Sequence, residues 1–107
     1  MATEIKGKTT AIIAYFTMVG ALIAITMNLE PKHEFARFHT RQAFGLHLLF
    51  IGFAIFLSTA FNKYAWFALY IFYTVLWFYG FVSALNNSKR PVPLVGKYFQ
   101  KWFTFIQ

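Results

Sequence analysis

The chain contains no cysteine. It can form no disulfide, and it offers no thiolate nucleophile and no cysteine ligand for zinc or an iron–sulfur cluster. Its redox compartment stays open. Acidic residues are nearly as scarce, with Glu4, Glu30 and Glu34 set against ten Lys and Arg in 107 residues. None of the three lies inside a long apolar segment, so the intramembrane carboxylate common in proton- or cation-coupled transporters is missing. His33, His39 and His47 make no recognisable ligand set, and any metal site would need a partner's residues. These absences argue against an enzyme and give no reason to expect a cofactor.

What the chain does have is apolar length. Three runs carry no charge, Thr9 to Leu29, Gln42 to Asn62 and Tyr64 to Ser88, of 21, 21 and 25 residues. A helix needs about 20 residues to cross a bilayer core of about 30 Å. The charges fall between and outside the runs, as the insertion cost of a charge at a helix centre requires. The expected fold is an all-α integral membrane protein in one domain over 1–107. It has spans near 9–29, 42–62 and 64–88 and an amphipathic interfacial helix near 94–107. The first run is longer than the 7–15 residues of a signal-peptide core and no A-x-A site follows it, so it is expected to be retained as a span.

The basic excess does not point to nucleic acid. Its residues sit beside the apolar runs, where they meet anionic headgroups and set orientation. With three crossings, Lys6, Lys8 and Lys63 share one side. Lys32, Arg37, Arg41, Lys89, Arg90, Lys97 and Lys101 share the other. Enrichment of Lys and Arg in cytoplasmic loops then predicts the amino terminus outside and the carboxyl terminus inside.

Helix boundaries follow from local chemistry. Pro31 ends the first helix near Asn28 to Glu30, and Pro91 and Pro93 stop the third after the polar Asn86, Asn87 and Ser88. The second starts near Lys32 or His33 and meets no turn signal until Phe61. Asn62 and Lys63 allow only a tight turn, so helices two and three form an antiparallel hairpin.

At 100° per residue, Glu34, Arg37 and Arg41 share one face at the start of helix two, with Phe35, His39, Gln42, Leu46 and Phe53 on another. This collar lies at the cytoplasmic surface. In the tail, Val95, Tyr98, Phe99, Trp102, Phe103 and Ile106 form an apolar stripe opposite Lys97, Lys101 and Thr104.

The polar residues of the collar and its continuation are the candidate site. Arg37, His39, Arg41 and Gln42, with Lys97 and Lys101 from the tail, are candidates to contact a lipid phosphate or a partner protein, or simply to anchor helix two. His47 lies deeper, and Tyr70 and Tyr73 fall inside the third run, where a hydroxyl needs a partner such as His47 or another subunit. Gly20 with Ala24, and Gly80 with Ala84, would let helices approach closely.

The stretch Phe35 to Leu46, FARFHTRQAFGL, resembles the signature of a family of small bacterial membrane proteins of uncharacterised function, themselves similar to the chloroplast inner-envelope protein-import component. That signature sets Phe, His and Gln at the start of a membrane helix, here Phe38, His39 and Gln42, followed by Ala43. The resemblance implies a multi-pass helical protein of the bacterial inner membrane, associated with a protein-translocation or envelope complex. The plastid component has a further crossing where this chain offers an interfacial helix.

Three functions fit these residues. The first is a non-enzymatic accessory or structural subunit, homo- or hetero-oligomeric, of an inner-membrane complex. The second is a small oligomeric channel or transporter lined by Gln42, His47, Tyr70 and Tyr73. The third is a binder of anionic lipid on the cytoplasmic side through Arg37 and Arg41.

Overall fold

A computed structural model describes residues 7–29, 33–59, 62–93 and 95–106. Among them the chain is wholly helical: α1 (Lys8–Ala14), α2 (Met18–Met27), α3 (Glu34–Leu57), α4 (Lys63–Leu85) and α5 (Gly96–Trp102). Two of these, α3 and α4, are long and apolar enough to cross a membrane.

The first run departs from expectation. In place of one helix over 9–29 there are two, of 7 and 10 residues, each too short to cross a bilayer. The break has a local cause. Tyr15 and Phe16 close α1 with tight i→i+3 bonds, and extended Thr17 then starts α2, its Oγ1 accepting the Gly20 N–H at 3.1 Å.

The two helices fold back on each other. Gly20 lies so close to the Ile13 carbonyl that a Cβ there would collide with it. Gly7 lies against His33 and Ala36, and Lys8 Nζ donates to the Leu85 carbonyl at 2.9 Å. At the other end of α1, the Ala14 carbonyl meets His47. His33 and His47 are about 20 Å apart along α3 at 1.5 Å per residue. From that depth α2 returns to Asn28, whose side chain bonds the His33 backbone in both directions. The first run is therefore a helical hairpin with both ends beside the start of α3 and the end of α4.

The other boundaries follow the sequence more closely. α2 stops at Met27 with Asn28 as its cap; Glu30, Pro31 and Lys32 lie outside the described residues. α3 runs unbroken from Glu34, but it ends at Leu57 rather than at Asn62. Asn62 instead caps α4, its Oδ1 accepting from the Tyr64 and Ala65 N–H groups. At the far end Asn87 adopts φ 61°. Ser88 N–H bonds the Ser83 carbonyl and Asn87 N–H that of Ala84, a Schellman cap with asparagine in the usual glycine place.

The amphipathic tail is shorter than expected and is shared between two surroundings. α5 spans Gly96–Trp102, with Leu94 and Gln107 outside the described residues. Phe99 and Ile106 are buried, while Tyr98 and Trp102 are exposed. Phe99 presses on Gly45, where a Cβ would strike its ring. One edge of the apolar stripe thus packs on α3, and the other faces outward.

The core sits where the α1–α2 hairpin meets α3 and α4, around Tyr15, Leu46, Leu76 and Ala84. Beyond His47, among the described residues, only α3 and α4 continue. There Ile55, Phe56 and Phe67 are each about two-thirds exposed, a surface suited to lipid or to another apolar partner.

Candidate functional site

The polar residues at the start of α3 point into the protein. His39, Thr40 and Gln42 are fully buried, and His47 nearly so. On one helix, residues 39 and 42 share a face; here that face meets the tip of the α1–α2 hairpin on one side and the segment after α4 on the other.

Tyr15, at the tip, joins them. Its Oη is 2.6 Å from His39 Nδ1 and 2.9 Å from Gln42 Nε2. His39 Nε2 is 2.7 Å from the Ser88 carbonyl. A carbonyl only accepts, so Nε2 carries the proton and Nδ1 accepts from the Tyr15 hydroxyl, which in turn accepts from Gln42. The imidazole is thereby assigned as a neutral tautomer. The bonds run in one direction, from Gln42 through Tyr15 and His39 to Ser88.

Gln42 also reaches beyond Tyr15. Its Oε1 accepts the Val92 N–H at 2.8 Å and its Nε2 donates to the Arg90 carbonyl at 3.3 Å. Ser83 Oγ donates to the Ser88 carbonyl and accepts the Arg90 N–H. Trp77 Nε1 donates to the Tyr15 carbonyl at 2.5 Å. The segment 88–92, two of whose residues flank prolines, receives from side chains the backbone bonds it cannot make in a helix.

His47 repeats the arrangement deeper in the bundle. Its Nε2 donates to the Ala14 carbonyl and its Nδ1 accepts from the Tyr73 hydroxyl, both at 3.0 Å. It satisfies a carbonyl that the break in the first run leaves outside the helical ladder. Tyr70 makes no such bond among the described residues; it is exposed, with its ring against Phe50 and Trp66.

The basic candidates divide. Arg41 does not stay on the outer face with Glu34 and Arg37. Its guanidinium turns to the tail, with Nε 2.8 Å from the Ile106 carbonyl and Nη1 3.3 Å from that of Gln100. Gln100 Nε2 in turn donates to the Phe38 carbonyl at 2.7 Å. Arg37 stands 3.9 Å from Glu34, which also pairs with Lys89. Lys97 and Lys101 are exposed on α5.

Chemically this is a clasp. A proton passed along it would arrive at a peptide carbonyl, which cannot hold one at neutral pH. Among the described residues no three metal-ligating side chains gather. Thr40 Oγ1 is buried with no hydrogen-bond partner among the described residues. Sequence reasoning picked out His39, Gln42 and His47 but missed Tyr15, Trp77, Ser83 and Ser88. Tyr15, a lone hydroxyl-bearing aromatic in an apolar run, was the available signal.

No family model, curated protein or solved structure matches this chain.

Proposed function

We propose that this chain is a small, non-enzymatic membrane protein acting as an accessory or structural subunit of an inner-membrane assembly. The α3–α4 hairpin crosses the bilayer, the α1–α2 hairpin enters and returns on one side, and α5 lies along that interface. The observation that carries this reading is the contrast between inside and outside. The buried His39 and Gln42 at the start of α3 are engaged within the chain, while the far half of α3–α4 turns large apolar side chains outward. Apolar helix surface is what the protein offers to others, and three short elements leave much of it uncovered.

Orientation follows from the hairpin. Lys8 comes to the same end as Arg37, Arg41, Lys89, Arg90, Lys97 and Lys101, leaving Lys63 as the one described basic residue at the opposite end. By the positive-inside rule the basic end is cytoplasmic. The amino-terminal helix then starts on the cytoplasmic side, where three crossings would have put it outside. The resemblance of Phe35–Leu46 to the small bacterial membrane proteins supports an assembly concerned with protein translocation. The channel reading has less support, because Gln42 bonds Tyr15, His47 bonds Ala14 and Tyr73, all within one chain, and Tyr70 faces outward.

The absence of cysteine makes the test direct. Single Lys8→Cys, Lys63→Cys and Lys97→Cys variants are treated with a membrane-impermeant maleimide in intact cells. Labelling is expected at position 63 alone, with 8 and 97 labelled only after permeabilisation. Labelling of position 8 from outside would restore the three-crossing topology. Crosslinking in native membranes, followed by mass analysis, tests the subunit role; a strictly monomeric species without partners would overturn it.

A further inference from the structure

A cavity of about 390 Å³ opens on the outer face of α4, bordering the clasp at its basic end, where Ser83 and Ser88 form part of its wall. Val75, Phe78, Tyr79 and Val82 line it at i, i+3, i+4 and i+7, one apolar stripe rising about 10 Å along the helix. All four are exposed, between 41% and 61%. At the basic end of the molecule the same cavity is lined by Asn86 and Arg90. It is a groove with an apolar length and a cationic head.

Arg90 differs from its neighbours. Arg41 is engaged by tail carbonyls, Lys8 by the Leu85 carbonyl, and Arg37 and Lys89 by Glu34. Arg90 is held by its backbone, its N–H on Ser83 Oγ and its carbonyl on Gln42. Its guanidinium makes no hydrogen bond or ion pair among the described residues. A planar fork of donors on a pinned backbone is suited to two oxygens of one phosphate.

Resting on the membrane reading above, we propose that this groove binds one anionic phospholipid, an acyl chain along Val75–Val82 and the phosphate on Arg90 with Asn86 beside it. Charge complementarity selects the occupant. An apolar helix of a partner would bury the guanidinium unpaired, which is strongly unfavourable, and a zwitterionic headgroup would bring an ammonium next to Lys89 and Arg90. The anionic-lipid role expected at Arg37 and Arg41 thus moves to a residue whose charge is free.

The test uses the full chain in nanodiscs of phosphatidylglycerol or phosphatidylcholine, extracted into detergent for native mass spectrometry. Wild type is expected to keep one phosphatidylglycerol and to release phosphatidylcholine. Arg90→Gln removes a charge-assisted bond and should lower retention about tenfold. Val82→Trp should lower it by filling the groove, while Lys63→Gln, at the opposite end, should leave it unchanged. Equal retention of both lipids, or undiminished retention in Arg90→Gln and Val82→Trp, overturns the proposal, as would a partner protein occupying the groove. Failure of the protein to enter either nanodisc would overturn the membrane reading and this site with it; entry without selective retention would overturn the site alone.

Discussion

Tyr15 Oη lies 2.6 Å from His39 Nδ1, joining the tip of a helical hairpin to the start of a membrane-length helix 24 residues later. Because His39 donates its other nitrogen proton to Ser88, the same imidazole ties in the segment after α4. Three stretches far apart in sequence are held by one ring.

Removing the Tyr15 hydroxyl leaves the ring space filled but the bonds unmade. Tyr15→Phe is expected to destabilise the folded protein by about 1–3 kcal/mol, the cost of leaving buried groups unpaired. Gln42→Leu should cost a similar amount, since it orphans the buried Val92 N–H. Because the two residues share a bond, the double variant should fall short of the sum by at least about 0.5 kcal/mol. Steric-trapping measurements on the four proteins in bicelles would reveal additivity if the network is not coupled.

His47→Ala removes the donor to the Ala14 carbonyl and the acceptor for Tyr73. Amide hydrogen exchange should quicken at Phe16 and Met18, at the hairpin tip, while the amides near Tyr64 keep their protection. Ion flux through reconstituted liposomes should match empty vesicles for wild type and variant alike. A wild-type flux that His47→Ala abolishes would favour the channel reading instead.

Arg41→Gln deprives the tail of its donor to Ile106. Gly45→Leu pushes Phe99 off α3. Both are expected to free α5, seen as faster tryptic cleavage after Lys97 and Lys101. Neither should alter retention of phosphatidylglycerol, which separates Arg41 as a tail clamp from Arg90 as a lipid ligand.

Gly20→Val places side-chain atoms against the Ile13 carbonyl. Overpacking of this kind costs about 1–3 kcal/mol, and here it acts on the fold-back itself. In the Gly20→Val background, Lys8→Cys is expected to show mixed labelling from the two sides of the membrane. Unchanged one-sided labelling would mean that Gly20 does not control the turn.

Much of this architecture was legible in the sequence. The starts of α3 and α4, the end of α4 at Asn86, and the antiparallel pairing of α3 with α4 follow from charge placement, from Asn62 and from the polar stop before Pro91 and Pro93. That His39, Gln42 and His47 take internal partners was legible too, because polar groups in an apolar helix need them. Which partners they take was not, since Tyr15, Ser88, Val92 and Ala14 are remote in sequence.

The sequence by itself determined an all-helical chain with long apolar segments and charges kept out of them, because hydropathy and turn chemistry are properties of neighbouring residues. Only the tertiary structure decided that the first of those segments turns back at Thr17. A lone threonine can cap a helix, but the fold-back also requires Gly20 to admit the Ile13 carbonyl and His47 to satisfy that of Ala14. One is a close approach between two helices, and the other is a bond across 33 residues. Neither leaves a periodic trace along the chain.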